Sequence, residues 1–234
     1  GEALIHFFSG NVAWGEAGKW DLLPLPDFLR SLNSLRFRKN GDLWVATSDG
    51  LYLWRRSLNR WKTLLLPGGN DANTITEILR GSDGGYWIGN SAGLTALTSQ
   101  LNVRQIPEIP APGRGGILSL GQDAKGRIWA GSSDWFQGAY RFDGNGWKRF
   151  GFREGLPIAT IHRMARDRKG RLWFLGISTS MPGVASSREP GAYILDGDEL
   201  RPFEDNDKLL DRRVYAFAEA SDGSYWFGSF DGVS

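Results

Sequence analysis

One phrase of residues recurs five times in this chain: an apolar residue, two spacers, a second apolar residue and, six positions on, Gly-x-x-Trp. It reads Leu32/Leu35/Gly41/Trp44, Ile75/Ile78/Gly84/Trp87, Ile117/Leu120/Gly126/Trp129, Ile161/Met164/Gly170/Trp173 and Val214/Phe217/Gly223/Trp226. The tryptophans lie 43, 42, 44 and 53 residues apart. A fixed period of this length denotes an array of one supersecondary unit, each copy burying its apolar face only against its neighbours. The most recognisable residues are therefore architectural. Function is to be sought where the units differ.

Each unit divides into four short runs. In the second, 74–79 carries Ile75 and Ile78, and Asp83-Gly84-Gly85 supplies the positive φ of a tight hairpin turn. Trp87 follows in 86–89, then the runs 93–97 and 101–106. No 3.6-residue periodicity links these runs, which argues against helices and parallel sheets. Four antiparallel strands every ~40–50 residues is the pattern of a β-propeller blade. The expected fold class is all-β, a propeller with complete blades at about 31–66, 74–106, 116–150 and 158–203.

Segments 1–30 and 213–234 read as partial blades. Either they complement each other and close a five-bladed ring, or the chain is an open portion of a larger one whose sheet edges need covering. The start at Gly1 without Met and the stop at Ser234 within a unit lean toward an excerpt.

Hydrophobic content of 41% excludes disorder, and 32 glycines with 11 tryptophans suit many tight turns between aromatic-rich strands. The net charge of +2 comes from interleaved acids and bases, so no nucleic-acid footprint is expected. The basic run Arg163, Arg166, Arg168, Lys169 and Arg171 is interrupted by Asp167 and lacks interleaved exposed aromatics. Without cysteine, disulfide and cysteine–metal frameworks are excluded, and with only His6 and His162 most histidine-based metal and catalytic designs go too. His162, beside Ile161 on a first strand, is placed facing the central channel or serving as a structural histidine. Glu204, Asp205, Asp207 and Asp211 share one loop, but their spacing fits no calcium loop. Gly89-Asn-Ser91-Ala-Gly93 matches the hydrolase nucleophile elbow in letters, yet it occupies the register of Ala46-Thr-Ser-Asp-Gly50 and no helix follows. No cofactor and no metal are expected, and no apolar run approaches the roughly 18 residues of a membrane span.

Strand order sorts the connections onto two faces. Turns from first to second and from third to fourth strand are short and regular. Connections from second to third strand, and from blade to blade, vary, and variable loops on a rigid scaffold are where ligands are usually held. From the Trp to the next strand's Gly the distance is 6 in units one and two, 9 in unit three and 18 in unit four. The two insertions, around 132–137 and 176–190, fall on one face in adjacent blades. Trp135 and Phe136 in the first suit stacking on a sugar or aromatic ring, or packing beneath the longer loop. Arg114, Arg153, Arg188, Arg212 and Arg213 lie in or beside loops of that face and suit bidentate recognition of carboxylates. Trp135, Phe136, Arg114, Arg153, Arg188 and Arg212 are the candidate ligand-binding residues.

The stretch Ile117-Leu-Ser-Leu-Gly-Gln-Asp123-Ala-Lys-Gly126-Arg-Ile-Trp129-Ala-Gly131 resembles the two-component regulator propeller repeat. So do 161–173, with Asp167 and Gly170, and Trp44-Val-Ala-Thr47-Ser-Asp-Gly50-Leu-Tyr52. The units depart from the repeat where its Asp is replaced by Arg38, Gly81 and Ala220, and where its Gly after the Trp is replaced by Ala46 and Leu175. The resemblance implies the extracytoplasmic, periplasmic input region of a bacterial signalling receptor, ahead of a membrane helix and output machinery.

The leading expectation is a non-catalytic sensor that binds a small molecule or oligosaccharide on the variable-loop face. The alternative is a platform that holds a protein partner on that face. An enzyme, by analogy with propeller lyases and glycosidases, ranks third: such chemistry needs a placed base or two facing carboxylates, and the repeats leave no inward Asp/Glu pair unexplained.

Overall fold

The computed structural model describes residues 3–6, 12–16, 19–23, 25–26, 29, 32–37, 41–111, 115–132, 136–177 and 191–234, with backbone alone at 3–6, 14, 16 and 37. The described residues form six antiparallel sheets in chain order. The first holds β1 (Ala3–His6), β2 (Val12–Glu16) and β3 (Lys19–Leu23). The second holds β4 (Leu32–Phe37), β5 (Leu43–Thr47), β6 (Leu51–Arg55) and β7 (Arg60–Leu64). After a short helix, α1 (Gly69–Asn73), come β8 (Ile75–Arg80), β9 (Tyr86–Asn90), β10 (Gly93–Leu97) and β11 (Val103–Arg104). The fourth sheet is β12 (Ile117–Gln122), β13 (Ile128–Ser132), β14 (Ala139–Phe142) and β15 (Trp147–Phe150). The fifth is β16 (Thr160–Arg166), β17 (Leu172–Ile177), β18 (Ala192–Asp196) and β19 (Glu199–Pro202). The last is β20 (Val214–Glu219), β21 (Tyr225–Ser229) and β22 (Gly232–Val233). Four complete four-stranded blades are thus flanked by two sheets of three strands, a β-propeller array.

Two features of the recurring phrase now have physical causes. The glycine of each Gly-x-x-Trp, Gly41, Gly84, Gly126, Gly170 and Gly223, sits at φ between 79° and 89° in the turn from first to second strand, a conformation that disfavours any side chain. The apolar pair three residues apart is stranger, because strict alternation along a strand would send its members to opposite faces. Each first strand resolves this with a bulge: its register shifts between Leu32 and Ser34, Ile75 and Glu77, Ile117 and Ser119, Ile161 and Arg163, and Val214 and Ala216. The extra residue returns both apolar side chains to the same side, so Ile75 and Ile78, Ile117 and Leu120, and Ile161 and Met164 are all buried.

Sheets stack by laying each tryptophan on the next blade. Trp44 meets Tyr86 edge-on at 5.5 Å, Trp87 meets Phe142 at 5.5 Å, Trp129 meets Phe174 at 5.1 Å, and Trp173 stacks on Phe217 at 4.8 Å. Trp44, Trp129 and Trp173 are wholly buried. An indole removes ~150–250 Å² from water, on the order of 4–6 kcal/mol per blade junction at ~25 cal/mol/Å². Trp226, the fifth of the series, is covered by no further sheet among the described residues and is 52% exposed.

The repeat's aspartate is the other structural device. Asp123 Oδ1 accepts the N–H groups of Lys125 and Arg127 at 3.0 Å, closing the turn, while Oδ2 accepts from Arg127 Nε at 2.6 Å and Trp129 Nε1 at 2.9 Å. Asp167 serves Arg171 and Trp173 in the same way. In unit one that place holds Arg38, outside the described residues, and Trp44 Nε1 has no acceptor among the described residues.

Candidate functional site

The starts of the first strands pair with the ends of the second strands, as in Thr160 with Ile177 and Ile117 with Ser132. The bulges therefore lie at the variable-loop end of the array. First strands are also the elements that contact one another from blade to blade, β4 with β8, β8 with β12, β12 with β16 and β16 with β20. They line the inner wall, and their bulge residues and the residues that follow them form its rim at the end from which the variable loops leave.

That rim is polar and differs in every blade. At the bulge it reads Asn33, Thr76, Leu118, His162 and Tyr215; one residue later it reads Ser34, Glu77, Ser119, Arg163 and Ala216. Several of these side chains stitch neighbouring blades. Asn33 Nδ2 donates to the Ile75 carbonyl at 2.7 Å, Thr76 Oγ1 to the Ile117 carbonyl, and Ser119 Oγ to the Ile161 carbonyl at 2.8 Å. The His162 ring lies 4.7 Å from that of Tyr215, and His162 Nε2 is buried with no partner among the described residues. Burial holds the His162 pKa below its ordinary value, so the imidazole is neutral at neutral pH.

Glu77 is the centre of this rim. Its buried carboxylate accepts from Ser34 Oγ at 2.7 Å, Arg36 Nη2 at 2.8 Å and the Ile78 N–H at 3.0 Å through Oε1. Oε2 takes Arg163 Nη1 at 3.3 Å. Arg36 comes from the blade before, but Arg163 comes from two blades further on, beyond β12, so this ion pair runs across the inner wall in front of small Ser119. Two guanidiniums share one carboxylate, and their side chains remain 37% and 42% exposed. Burial lowers the Arg36 pKa; Glu77 opposes the effect and Arg163 adds to it.

The six residues singled out from sequence fare differently. Arg114, Trp135 and Arg188 lie outside the described residues. Phe136 is 6% exposed, edge-on to Tyr140 at 4.8 Å within a cluster that includes Ile109 and Ile117, so its ring packs the base of its loop. Arg153 is exposed in a short 3-10 turn, Phe152–Glu154, between the third and fourth complete blades. Arg212 is half-buried in the next inter-blade loop, separated from Arg153 in the chain by the whole fourth complete blade. Both stand on the variable-loop face. Sequence reasoning missed Arg36 and Glu77 and took Arg163 only as part of a basic run; the available signal for Glu77 and Arg163 was the position two after the first apolar residue, where the units read Ser, Glu, Ser, Arg and Ala.

Other charge clusters are absorbed by structure. Asp198 is held down to about 2 by Lys125 and Arg127, tying the outer turn of one blade to the inner turn of its neighbour. The acidic loop carries Asp205 paired with Lys208 at 2.6 Å and Asp211 paired with Arg213. No group of metal-ligating side chains occurs among the described residues, and none of their helices is long and apolar enough to cross a membrane.

Residues 208–231 match the family model of the two-component regulator propeller, so the fifth unit is a repeat of that type even with Ala220 in the aspartate's place. No curated protein matches the chain in sequence. Among solved structures, the chain is similar to the extracellular domains assigned to two hybrid two-component systems of B. thetaiotaomicron. To one it has 17% identity and a TM-score of 0.66, covering 99% of this chain and 32% of that one. To the other it has 17% identity and a TM-score of 0.71, covering 97% and 31%. The chain thus spans about a third of the length of either. Virginiamycin B lyase from Staphylococcus aureus is also similar, at 15% identity and a TM-score of 0.71 over 97% of this chain and 73% of the lyase. Identities this low establish a shared propeller fold.

Proposed function

We propose that this propeller is a non-catalytic, extracytoplasmic sensing module that binds a small molecule or oligosaccharide on its variable-loop face. The observation that carries the reading is the polar rim of Asn33, Thr76, Glu77, His162, Arg163 and Tyr215, which changes from blade to blade at the end of the array that carries the two loop insertions. Some of these side chains stitch neighbouring blades, but Arg163, His162 and Tyr215 make no such bond to a neighbouring backbone among the described residues, and variable positions on a repeating scaffold are where ligands are usually held. The similarity to extracellular domains of two-component systems supports the sensory role, with ligand binding shifting the population of receptor states. Catalysis by the rim's carboxylate is disfavoured because Glu77 already accepts from two arginines, a hydroxyl and a backbone N–H, leaving it poorly placed to take a substrate proton.

The test is a thermal-shift panel of neutral and acidic oligosaccharides and small metabolites, repeated on Trp135→Ala and on a chain with 178–190 replaced by a short link. A stabilising ligand that either change removes supports the reading. A panel without a hit, together with a protein complex that the loop replacement abolishes on gel filtration, would replace it with a protein-docking role.

A further inference from the structure

Arg36 and Arg163 reach one carboxylate from blades on either side of it, and this leaves the rim with an uncompensated positive charge. Arg163 uses a single N–H on Glu77, at the long distance of 3.3 Å, and its side chain remains 42% exposed. Arg36 is more fully committed, with Nη2 on Glu77 and Nη1 on the Leu35 carbonyl at 2.9 Å. Beside Arg163 in the chain, neutral His162 keeps Nε2 unpartnered, and Tyr215 presents a partly exposed ring against it. At the opposite end of the first strands the charges are mixed, with Arg80, Arg166 and Glu219, and Glu219 accepts from the Arg168 N–H at 2.7 Å. At the variable-loop end two guanidiniums thus share one carboxylate, next to an imidazole and a phenol able to contact a polar ring.

We propose that this rim binds the carboxylate of a sugar acid: Arg163 takes the carboxylate bidentately through N–H groups not engaged by Glu77, and His162 and Tyr215 contact the ring. The proposal rests on the sensing reading above and gives its ligand a chemical class. Arginine is suited to the task because its planar fork matches a carboxylate in two parallel hydrogen bonds. Glu77 acts as an internal competitor. It keeps the two arginines from repelling each other in the empty site and weakens the field that an incoming anion feels.

The competitor role gives the test its signature. Binding of sodium glucuronate, sodium acetate and glucose is measured calorimetrically on the unaltered chain and on Arg163→Gln and Glu77→Gln. Glucuronate is expected to bind, acetate more weakly, and glucose not at all. Arg163→Gln should lose glucuronate by more than tenfold. Glu77→Gln, which keeps an oxygen for Ser34 and the Ile78 N–H, should tighten it by about tenfold, because a like charge within a few ångströms of the anion is gone. Raising salt should weaken binding throughout. Acetate equal to glucuronate would reduce the site to a bare anion site and overturn the sugar-acid assignment. Weaker binding in Glu77→Gln, or indifference to Arg163→Gln, would overturn the proposal, as would a failure of the unaltered chain to distinguish glucuronate from glucose. A neutral oligosaccharide that binds and depends on Trp135 or on 178–190 but not on Arg163 would refute this inference alone and leave the sensing reading standing.

Discussion

Replacing Asp123 by alanine isolates what the repeat's aspartate does. The side chain is 3% exposed and accepts four hydrogen bonds, and its loss leaves Trp129 Nε1 without an acceptor in a wholly buried ring. An orphaned buried donor costs about 1–3 kcal/mol, and the bond from Arg127 contributes on the order of 1–2 kcal/mol more. Arg127 keeps Asp198 at 2.7 Å, so its charge is not stranded, and the two turn N–H groups regain water at small cost. The expected loss is about 2–5 kcal/mol, or a melting point lower by about 10 °C for a domain of this size. Asp123→Asn should recover less than half of this, because its amide sets a donor against the Trp129 and Arg127 donors while its oxygen still closes the turn. Denaturant titration followed by tryptophan fluorescence gives the midpoints. An internal control is available: Trp129→Phe forfeits a hydrogen bond that Trp44→Phe has no described acceptor to lose, so the former should destabilise more. A loss under about 1 kcal/mol for Asp123→Ala, or equal effects at the two tryptophans, would refute the capping argument.

Three further outcomes are expected. Burial opposes ionisation of Asp167, but the bonds from Trp173 and Arg171 outweigh it and hold its pKa below the ordinary carboxylate value. Its stabilisation is present above the unfolded carboxylate's pKa and is lost as pH falls through the depressed folded value, so Asp167→Asn should flatten the acid limb of a stability–pH profile. His162, depressed by burial, resists protonation in the folded state; stability should decline as pH falls below about 6.5, and His162→Gln should remove that decline in melts taken between pH 7.5 and 5. A Cβ on Gly131 would lie 2.9 Å from both Ile161 Cβ and Ser119 Oγ, so Gly131→Ala should cost about 1–3 kcal/mol by calorimetry through overpacking at the inner wall.

The sequence made the blades legible because hairpin glycines and interface tryptophans are dictated by local geometry. Gly126 needs a positive φ and Trp129 needs a neighbour's apolar face, and both requirements recur in every unit. The first sheet opens with the strand Ala3–His6, which no feature of the recurring phrase marks. The bulge was written in the chain as well, as an apolar pair three apart on a strand too short for a helix, but its outcome for the rim was not. The Glu77–Arg163 pair joins residues 86 positions apart in blades that are not adjacent, and only the curvature of the whole array brings them together. Phe136 illustrates the opposite limit. From sequence an aromatic residue in a variable loop reads either as a ligand platform or as packing beneath the loop, and in three dimensions the ring packs edge-on against Tyr140.

The bare indole of Trp226 bears on how this array comes apart. Stability in a stack of repeats is close to a sum over nearest-neighbour junctions, so a terminal sheet held on one side opens at lower free energy than a sheet held on both. Among the described residues, no apolar cluster joins the first sheet to the last, and Trp20 and Leu22 at one end are as exposed as Trp226 and Phe230 at the other. Amide exchange should therefore be fastest in β1–β3 and β20–β22 and slowest in β8, β12 and β16. Those slow strands carry Glu77, Ser119 and Arg163, which places the polar rim in the part of the array that frays last.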